Sequence, residues 1–412
     1  MFEHLMTPAQ RAHRDELRAF VKSVPRDLIL AMDRDEVQFP REFLEEAGRR
    51  NLLGPRYPAA LGGRGLAWVD SCMAMEEVGA LGYIFACVFG VGAELVCDAI
   101  VNLGTDDQKE RFVRPLLAGR KFAAECLTEP RGGSDFFGAA SKAVKVDGGW
   151  RLNGAKRFIV GGSAADFFLV YARTDFDAPP HKGMTCFLVE RGPGVTSSYL
   201  YGLMGCRGGG TARVMFHDVF VPDANVLGGV NRAVDVFYPM MIPERLGTAA
   251  MTIGAARPAV EMATRYTAKR KAFGQVIKDF QGVGFQVADA VTLLDASRAL
   301  VYTTARAVDA GDDPNRVRRF VSETKKFVTS SCQQAARNAM QVMGGIGYTN
   351  VYPVERIVRD LSLASIWTGT NEVMALIVQT EWYKEYARIH AAVRDPEPDA
   401  EHAFDEDEKV YE

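Results

Sequence analysis

The property of this chain that most restricts its fold is a change of apolar period that happens twice. From Thr7 to about residue 120, apolar residues recur at helical spacing. Thr7-Pro8 supplies a cap and a proline at the first helical position, and an amphipathic run continues to Val24. Gly62-Gly63-Arg64-Gly65 interrupts the pattern, helical stretches resume over 69–81 and 85–103, and Thr105 caps a short helix that runs towards Leu117. Near Lys121 the texture turns to short β-rich runs, at 150–152, 158–160, 166–172, 184–190 and 213–221. Turn signals such as Asp147-Gly148-Gly149, Asn153-Gly154 and Pro179-Pro180 separate them. From Pro239 the helical period returns. After Asp313-Pro314, a stripe of Val317, Phe320, Val321, Thr324, Phe327, Val328, Cys332, Ala335, Ala339 and Met343 occupies one face until Gly344-Gly345 stops it. Thr370 caps a final helix that reaches about His390.

This order predicts an α+β protein: an N-terminal helical domain (1–120), a middle small β-barrel or sandwich domain (121–235), a C-terminal antiparallel helical bundle (236–390) and an acidic tail (391–412). Hydrophobic residues make up 48% of the 412 and charged residues 25%, which excludes a disordered chain or a disulfide scaffold. The formal charge of −3 is local in origin, because residues 393–412 hold nine acids and two bases. The remainder is only mildly basic and gives no reason to expect nucleic acid. Seven cysteines form no CxxC pair and six histidines form no HxxxH, so no metal site is expected and the thiols suit a reducing compartment. The most apolar stretch, 80–93, is shorter than the roughly 20 residues a membrane span needs, and the N-terminus shows no signal-peptide pattern. A cytoplasmic location, with no membrane partner, is the expectation.

The strongest local signal is Cys126-Leu127-Thr128-Glu129-Pro130-Arg131-Gly132-Gly133-Ser134-Asp135. Its hydroxyls and open backbone N–H groups suit a flavin ring and a pyrophosphate, although Pro and Gly can equally serve only to turn the chain. The run resembles the LTEPxxGSD signature of the acyl-CoA dehydrogenase family. Trp150-Arg151-Leu152-Asn153-Gly154-Ala155-Lys156 is similar to that family's strand at the flavin face. Arg270-Lys271-Ala272-Phe273-Gly274 is similar to its RxxFG element, and Gln341-Val342-Met343-Gly344-Gly345-Ile346-Gly347-Tyr348 to its QxxGGxGY loop. Pro353-Val354-Glu355-Arg356 and Arg359-Asp360 follow at the family's spacing, and then Gly369-Thr370-Asn371-Glu372. The resemblance covers Thr7 to His390.

The resemblance implies an acyl-CoA dehydrogenase-like fold, non-covalent FAD, and desaturation of an acyl-CoA thioester between its α and β carbons. Electrons then pass to an electron-transfer flavoprotein. It carries the cofactor contacts onto Thr128, Ser134, Phe158, Val160, Gln281, Thr370 and Glu372. Arg270, Phe273, Gln341, Gly344 and Gly345 correspond to residues that reach the FAD of a neighbouring subunit, so a homotetramer, or at least a dimer, is implied. The α-proton needs a desolvated carboxylate. The commonest family pattern has it directly before Gly-Thr of the last motif, where this chain has Thr368. Isovaleryl and long-chain members carry it in a Glu-Arg-Leu sequence, matched here by Pro243-Glu244-Arg245-Leu246, so Glu244 is the implied base. Read without the resemblance, Glu244 after Pro243 is also what a helix start favours. Arg245 and Thr368 fall at substrate positions, and Cys87, Val88 and Val91, beside Phe85 and Leu95, at the acyl pocket, where two aromatics suit a branched or alicyclic group.

Four positions depart from the family pattern. Phe158 stands for Trp, Val160 for Thr, Val351 for an acid and Gly209 for Ser. Two further readings stay open in the sequence: a flavin monooxygenase or oxidase of the same fold, which uses oxygen and needs no such base, and a non-catalytic scaffold.

Overall fold

Thr7 caps the first helix as its sequence requires, accepting the Gln10 N–H while the Gln10 side chain takes the Thr7 N–H in return. The structure, a computed structural model, describes residues 3–200 and 202–388, together with Arg394 and Asp399. The expected acidic tail and the end of the last helix at His390 otherwise lie outside the described residues. The N-terminal part comprises α1 (Pro8–Ser23), α2 (Arg26–Asp33), α3 (Arg41–Arg49), α4 (Trp68–Gly79), α5 (Tyr83–Gly90), α6 (Cys97–Leu103), α7 (Asp106–Gln108) and α8 (Arg114–Leu117). A wider π turn, Val91–Val96, joins α5 to α6, so the chain is helical without a break over Tyr83–Leu103. That run is longer than the sequence reading allowed. By length and composition it could cross a membrane, yet 89% of its apolar window is buried inside the fold. Glu94 and Asp98, which seemed to end the apolar stretch, point at Arg56 (3.1 and 2.6 Å) and are neutralised there.

Eight strands follow: β1 (Ala123–Cys126), β2 (Lys142–Val146), β3 (Gly149–Ile159), β4 (Phe167–Arg173), β5 (Met184–Glu190), β6 (Val195–Tyr199), β7 (Ala212–Pro222) and β8 (Val226–Leu227). They form one mixed sheet in the order β6-β7-β3-β2-β4-β5-β8, with β1 added parallel to β4. β2 bridges the halves at a single pair, Lys142 with Arg173. The halves fold face to face over their own core, where Trp150 meets Phe187 and Phe168 meets Phe216. β4 is buried on both sides and accordingly reads as an unbroken apolar run. Phe168 and Val170 enter this inner core, whereas Phe167, Leu169 and Tyr171 join the larger core shared with the helices.

The sequence reading placed a turn at Asn153-Gly154, which instead lies inside β3 at a register shift against β7. Asn153 Oδ1 accepts the Asp218 N–H (2.9 Å), and a side chain at Gly154 would meet Ser141 Oγ at 2.2 Å, so both turn-forming residues have strand duties.

The C-terminal part holds α9 (Ala233–Thr267), α10 (Gln281–Asp309), α11 (Pro314–Met343), α12 (Val354–Leu361) and α13 (Asn371–Tyr386). α9, α10 and α11 pack side by side, with α4 laid across α9 and α10. α9 begins six residues before Pro239, and Pro239, Pro243 and Pro258 all lie within it. Its buried face outweighs the cost of the missing N–H groups. On α11 the expected stripe holds, except that Phe327 is 42% exposed and Phe320 half-buried.

One carboxylate ties α4 to the bundle. Glu76 accepts two hydrogen bonds from Arg298 (2.9 and 2.8 Å) and one from Tyr302 (2.9 Å), with Arg257 at 3.7 Å. Glu76→Ala would take away the buried partner of Arg298 and leave it only the half-exposed Asp295 (3.0 Å). We expect it to cost about 3–5 kcal/mol, read as a lowered midpoint in urea unfolding.

Candidate active site

Loop 127–135 follows β1 and is held from beneath by a buried ion pair. Lys156 on β3 is fully enclosed and gives its ammonium protons to Glu129 Oε1 (2.9 Å), the Leu127 carbonyl (3.2 Å) and the Tyr171 carbonyl (2.8 Å). Glu129 also accepts the N–H groups of Ala140 (2.6 Å) and Ser141 (3.0 Å). Burial opposes both charges. It pulls the ammonium below its usual range against the attraction of Glu129, while Lys156 and those N–H groups overcome it at Glu129, which is held below the ordinary carboxylate value.

The loop so held lies along the end of β3, where the Thr128 carbonyl accepts the Arg157 N–H (2.9 Å). Here the β3–β7 ladder shifts between Lys156 and Ile159. Phe158 takes a left-handed φ of +59° and stands 54% exposed under the Arg157 guanidinium. An aromatic residue at positive φ is strained, and a bulge is a means of re-aiming a side chain. The structure therefore brings Thr128 and Phe158 together, with exposed Ser134 on the same loop and half-buried Val160 against the core.

Glu244 lies eleven residues inside α9, so the helix-start explanation for it fails. Pro243 beside it leaves the Pro239 carbonyl without its helical donor. Its Oε2 is enclosed and, among the described residues, has no hydrogen-bond partner. Burial pushes this carboxyl up to about 7, against the pull of Arg245 and Lys325. The group therefore favours the folded state while protonated, and that gain is lost as pH rises through about 7. Arg245 is buried rather than offered to a phosphate. Its Nε donates to the Thr368 carbonyl (3.4 Å), and burial brings it down to about 10. Lys325 donates to the Gly369 carbonyl (2.8 Å) and to Asn371 Oδ1 (3.1 Å). These two cations hold the turn at Thr368 (φ +57°), whose own Oγ1 is buried and, among the described residues, unpartnered.

The turn leads into α13, where Thr370 accepts the Val373 N–H (3.3 Å). Thr370 and Glu372 border a cleft of about 610 Å³ that also takes in Lys326, Ser330, Gln334 and Arg337. Its cations and the helix N-terminus favour an anion. Arg270, Phe273, Gln281, Gln341, Gly344 and Gly345 are exposed, Phe273 at 95%. Among the described residues, no hydrogen bond, ion pair or ring contact joins them to Thr128, Phe158 or Val160. Cys87 packs on the sulfur of Met251 (3.5 Å) within the helical core, and Val88 lies near Gly209, while Val91 is half-buried. Gly209 is explained by its surroundings, since a side chain there would strike Ile84 at 2.2 Å.

Three family models match in order: acyl-CoA dehydrogenase N-terminal domain over residues 7–120, middle domain over 124–219 and C-terminal domain over 234–382. The chain belongs to the acyl-CoA dehydrogenase family. It is 33% identical to the mitochondrial isovaleryl-CoA dehydrogenase of Oryza sativa subsp. japonica, covering 92% of this chain and 93% of that one. It is 32% identical to subunit CarC of the caffeyl-CoA reductase-Etf complex of Acetobacterium woodii, over 84% and 91%. The butyryl-CoA dehydrogenase structure from Megasphaera elsdenii superposes with a TM-score of 0.87 at 30% identity, over 92% and 99%. As an acyl-CoA dehydrogenase this chain is an FAD-dependent oxidoreductase. Its residues fit that cofactor: an outward-facing aromatic beside the Thr128 loop suits a flat ring, and the cationic cleft at Thr370 suits phosphate.

Sequence reasoning missed Glu125, Lys156, Glu129 and Lys325. The signal for Glu125 was an acid inside the apolar run 122–127, and for Lys156 a lysine ahead of Phe158 with Glu129 in the neighbouring motif. Glu129→Gln should cost about 3–5 kcal/mol by leaving a buried ammonium without its counter-charge. It should also lower the FAD-to-protein absorbance ratio, and the double variant Glu129→Leu/Lys156→Met should regain most of the stability without the FAD.

Proposed function

We propose that Glu244 is the base of this acyl-CoA dehydrogenase, taking the α-proton of the thioester. The supporting observation is the enclosed, unpartnered Oε2 on a carboxyl whose protonation midpoint lies near neutrality, where a general base works best. Bound FAD supplies the acceptor for the β-hydride. Thr128 and Ser134 hold the flavin and pyrophosphate, Phe158 and Val160 flank the ring, and Thr370 and Glu372 line the dinucleotide's path. Arg245 acts as a positioning residue for Thr368 rather than as a phosphate ligand, and Val91 with Cys87 and Val88 bounds the acyl end. The outward placement of Arg270, Phe273, Gln281, Gln341, Gly344 and Gly345 supports a second copy of the chain completing the FAD site, in a homotetramer or dimer.

Electron-transfer flavoprotein is the proposed acceptor, in keeping with the Etf complex named for the Acetobacterium woodii relative. The isovaleryl relatives favour a branched acyl group over a straight one. All seven thiols are buried and unpaired, which fits a reducing compartment such as the cytoplasm.

Anaerobic addition of branched, alicyclic and straight acyl-CoA thioesters should bleach the flavin band with at least one of them. Glu244→Gln should keep FAD but lower the bleaching rate by about 10²–10⁴. Unchanged bleaching in that variant removes Glu244 from the role. Because the base works deprotonated, kcat/KM in the wild type should rise with pH through about 7 and level off above it, a rise the variant lacks.

A further inference from the structure

β1 carries a second carboxyl into the same region. Glu125 pairs in register with Leu169 on the parallel strand β4. Neighbours in register share a face, so Glu125 shares the side of Leu169 and Tyr171, which packs on the helices, while Ala124 and Cys126 enter the inner core of the sheet. Across that face runs α9, whose Met240 touches the Tyr171 hydroxyl (3.8 Å) one turn before Glu244. The charges of Glu125 and Glu244 both reach that Tyr171 phenol. The two acids therefore approach one region from opposite walls, one from a strand and one from a helix.

Among the described residues, Glu125 has no salt-bridge partner. The nearby ammonium of Lys156 has spent its protons on Glu129, Leu127 and Tyr171. Glu125 Oε1 is enclosed and lacks a hydrogen-bond partner among the described residues, as does Glu244 Oε2. One helical turn beyond Glu244, on the same face of α9, Thr248 is 1% exposed and its Oγ1 is likewise unpartnered, as is Thr368 Oγ1. Such groups are rarely left unsatisfied in a native fold, because each costs about 1–3 kcal/mol. Burial, and then the charge of Glu244, push the Glu125 carboxyl well above the usual range. A hydrocarbon acyl chain would leave this oxygen as it stands. An O–H or N–H on the acyl group would satisfy it.

We propose that Glu125 is a specificity-determining residue that selects acyl groups carrying a hydrogen-bond donor, a hydroxyl or an amine, close to the carbons being desaturated. The proposal rests on the dehydrogenation reading for the presence of an acyl thioester at this place, but its test has a binding readout that needs no turnover.

The test titrates the FAD-loaded protein by calorimetry with three unreactive thioethers, S-(4-hydroxybutyl)-CoA, S-(4-aminobutyl)-CoA and S-pentyl-CoA. It also follows anaerobic flavin bleaching with 4-hydroxybutyryl-CoA and pentanoyl-CoA. The wild type should bind one or both polar thioethers about 10- to 100-fold more tightly than the pentyl compound. Preference for the amine identifies an ionised partner, and preference for the hydroxyl a neutral one. Glu125→Leu should abolish the preference, and Glu125→Gln should retain part of it with FAD content unchanged. Equal binding of all three by the wild type, or an undiminished preference in Glu125→Leu, overturns the proposal. A Glu125-dependent preference with no bleaching by any thioester supports Glu125 and instead overturns the dehydrogenation reading.

Discussion

The arrangement of the site depends on the buried contact between Lys156 and Glu129. One ammonium on β3 joins three segments, its own strand, the loop after β1 through a carbonyl and a carboxylate, and the backbone of β4. Such a charge is tolerable in the interior only with every proton placed, so the three segments have a single mutual arrangement that satisfies it. The path of residues 127–135, the position of Thr128 beside the β3 bulge and the direction in which β1 presents Glu125 all follow from it. The Pro and Gly residues of the loop permit this path, but the ion pair selects it.

The proposed catalytic region is drawn from three parts of the chain that local pattern cannot connect. β1 contributes Glu125, α9 contributes Glu244, Thr248 and Arg245, and the turn before α13 contributes Thr368. Two cations, Arg245 and Lys325, grip the carbonyls of that turn and so support its left-handed residue from below. The cations near Glu244 are therefore committed to the carbonyls of the turn and to Asn371 Oδ1, and the carboxyl keeps a midpoint near neutrality instead of collapsing into a salt bridge.

Much of the fold was legible in the sequence, for identifiable reasons. Capped helices announce themselves through short-range chemistry, and Thr7, Thr105 and Thr370 all cap where their spacing requires. Strands buried on both faces, such as β4 and β5, read as apolar runs. β1, β2 and β6 escaped because they are short and carry Glu, Lys, Ser and Thr, and only their pairing makes them strands. Asn153-Gly154 misled because its turn chemistry is used within a strand. Glu244 was legible only through its resemblance to relatives, since Pro243 points to a helix start that the tertiary packing of α9 overrides. Glu125 was not legible, because whether an acid on a strand faces solvent or a neighbouring carboxyl depends on a helix more than a hundred residues away.

The apolar helix over Tyr83–Leu103 has a consequence in time as well as space. Its cover comes from α4, β1 and above all α9, which ends at Thr267. A ribosome adding about 5–20 residues per second exposes the helix for roughly 10–30 s before α9 has emerged. During that interval the nascent chain displays a segment with the length and hydropathy of a membrane anchor. Until α9 arrives, the same apolar surface that later forms the core is open to whatever binds exposed hydrophobic segments.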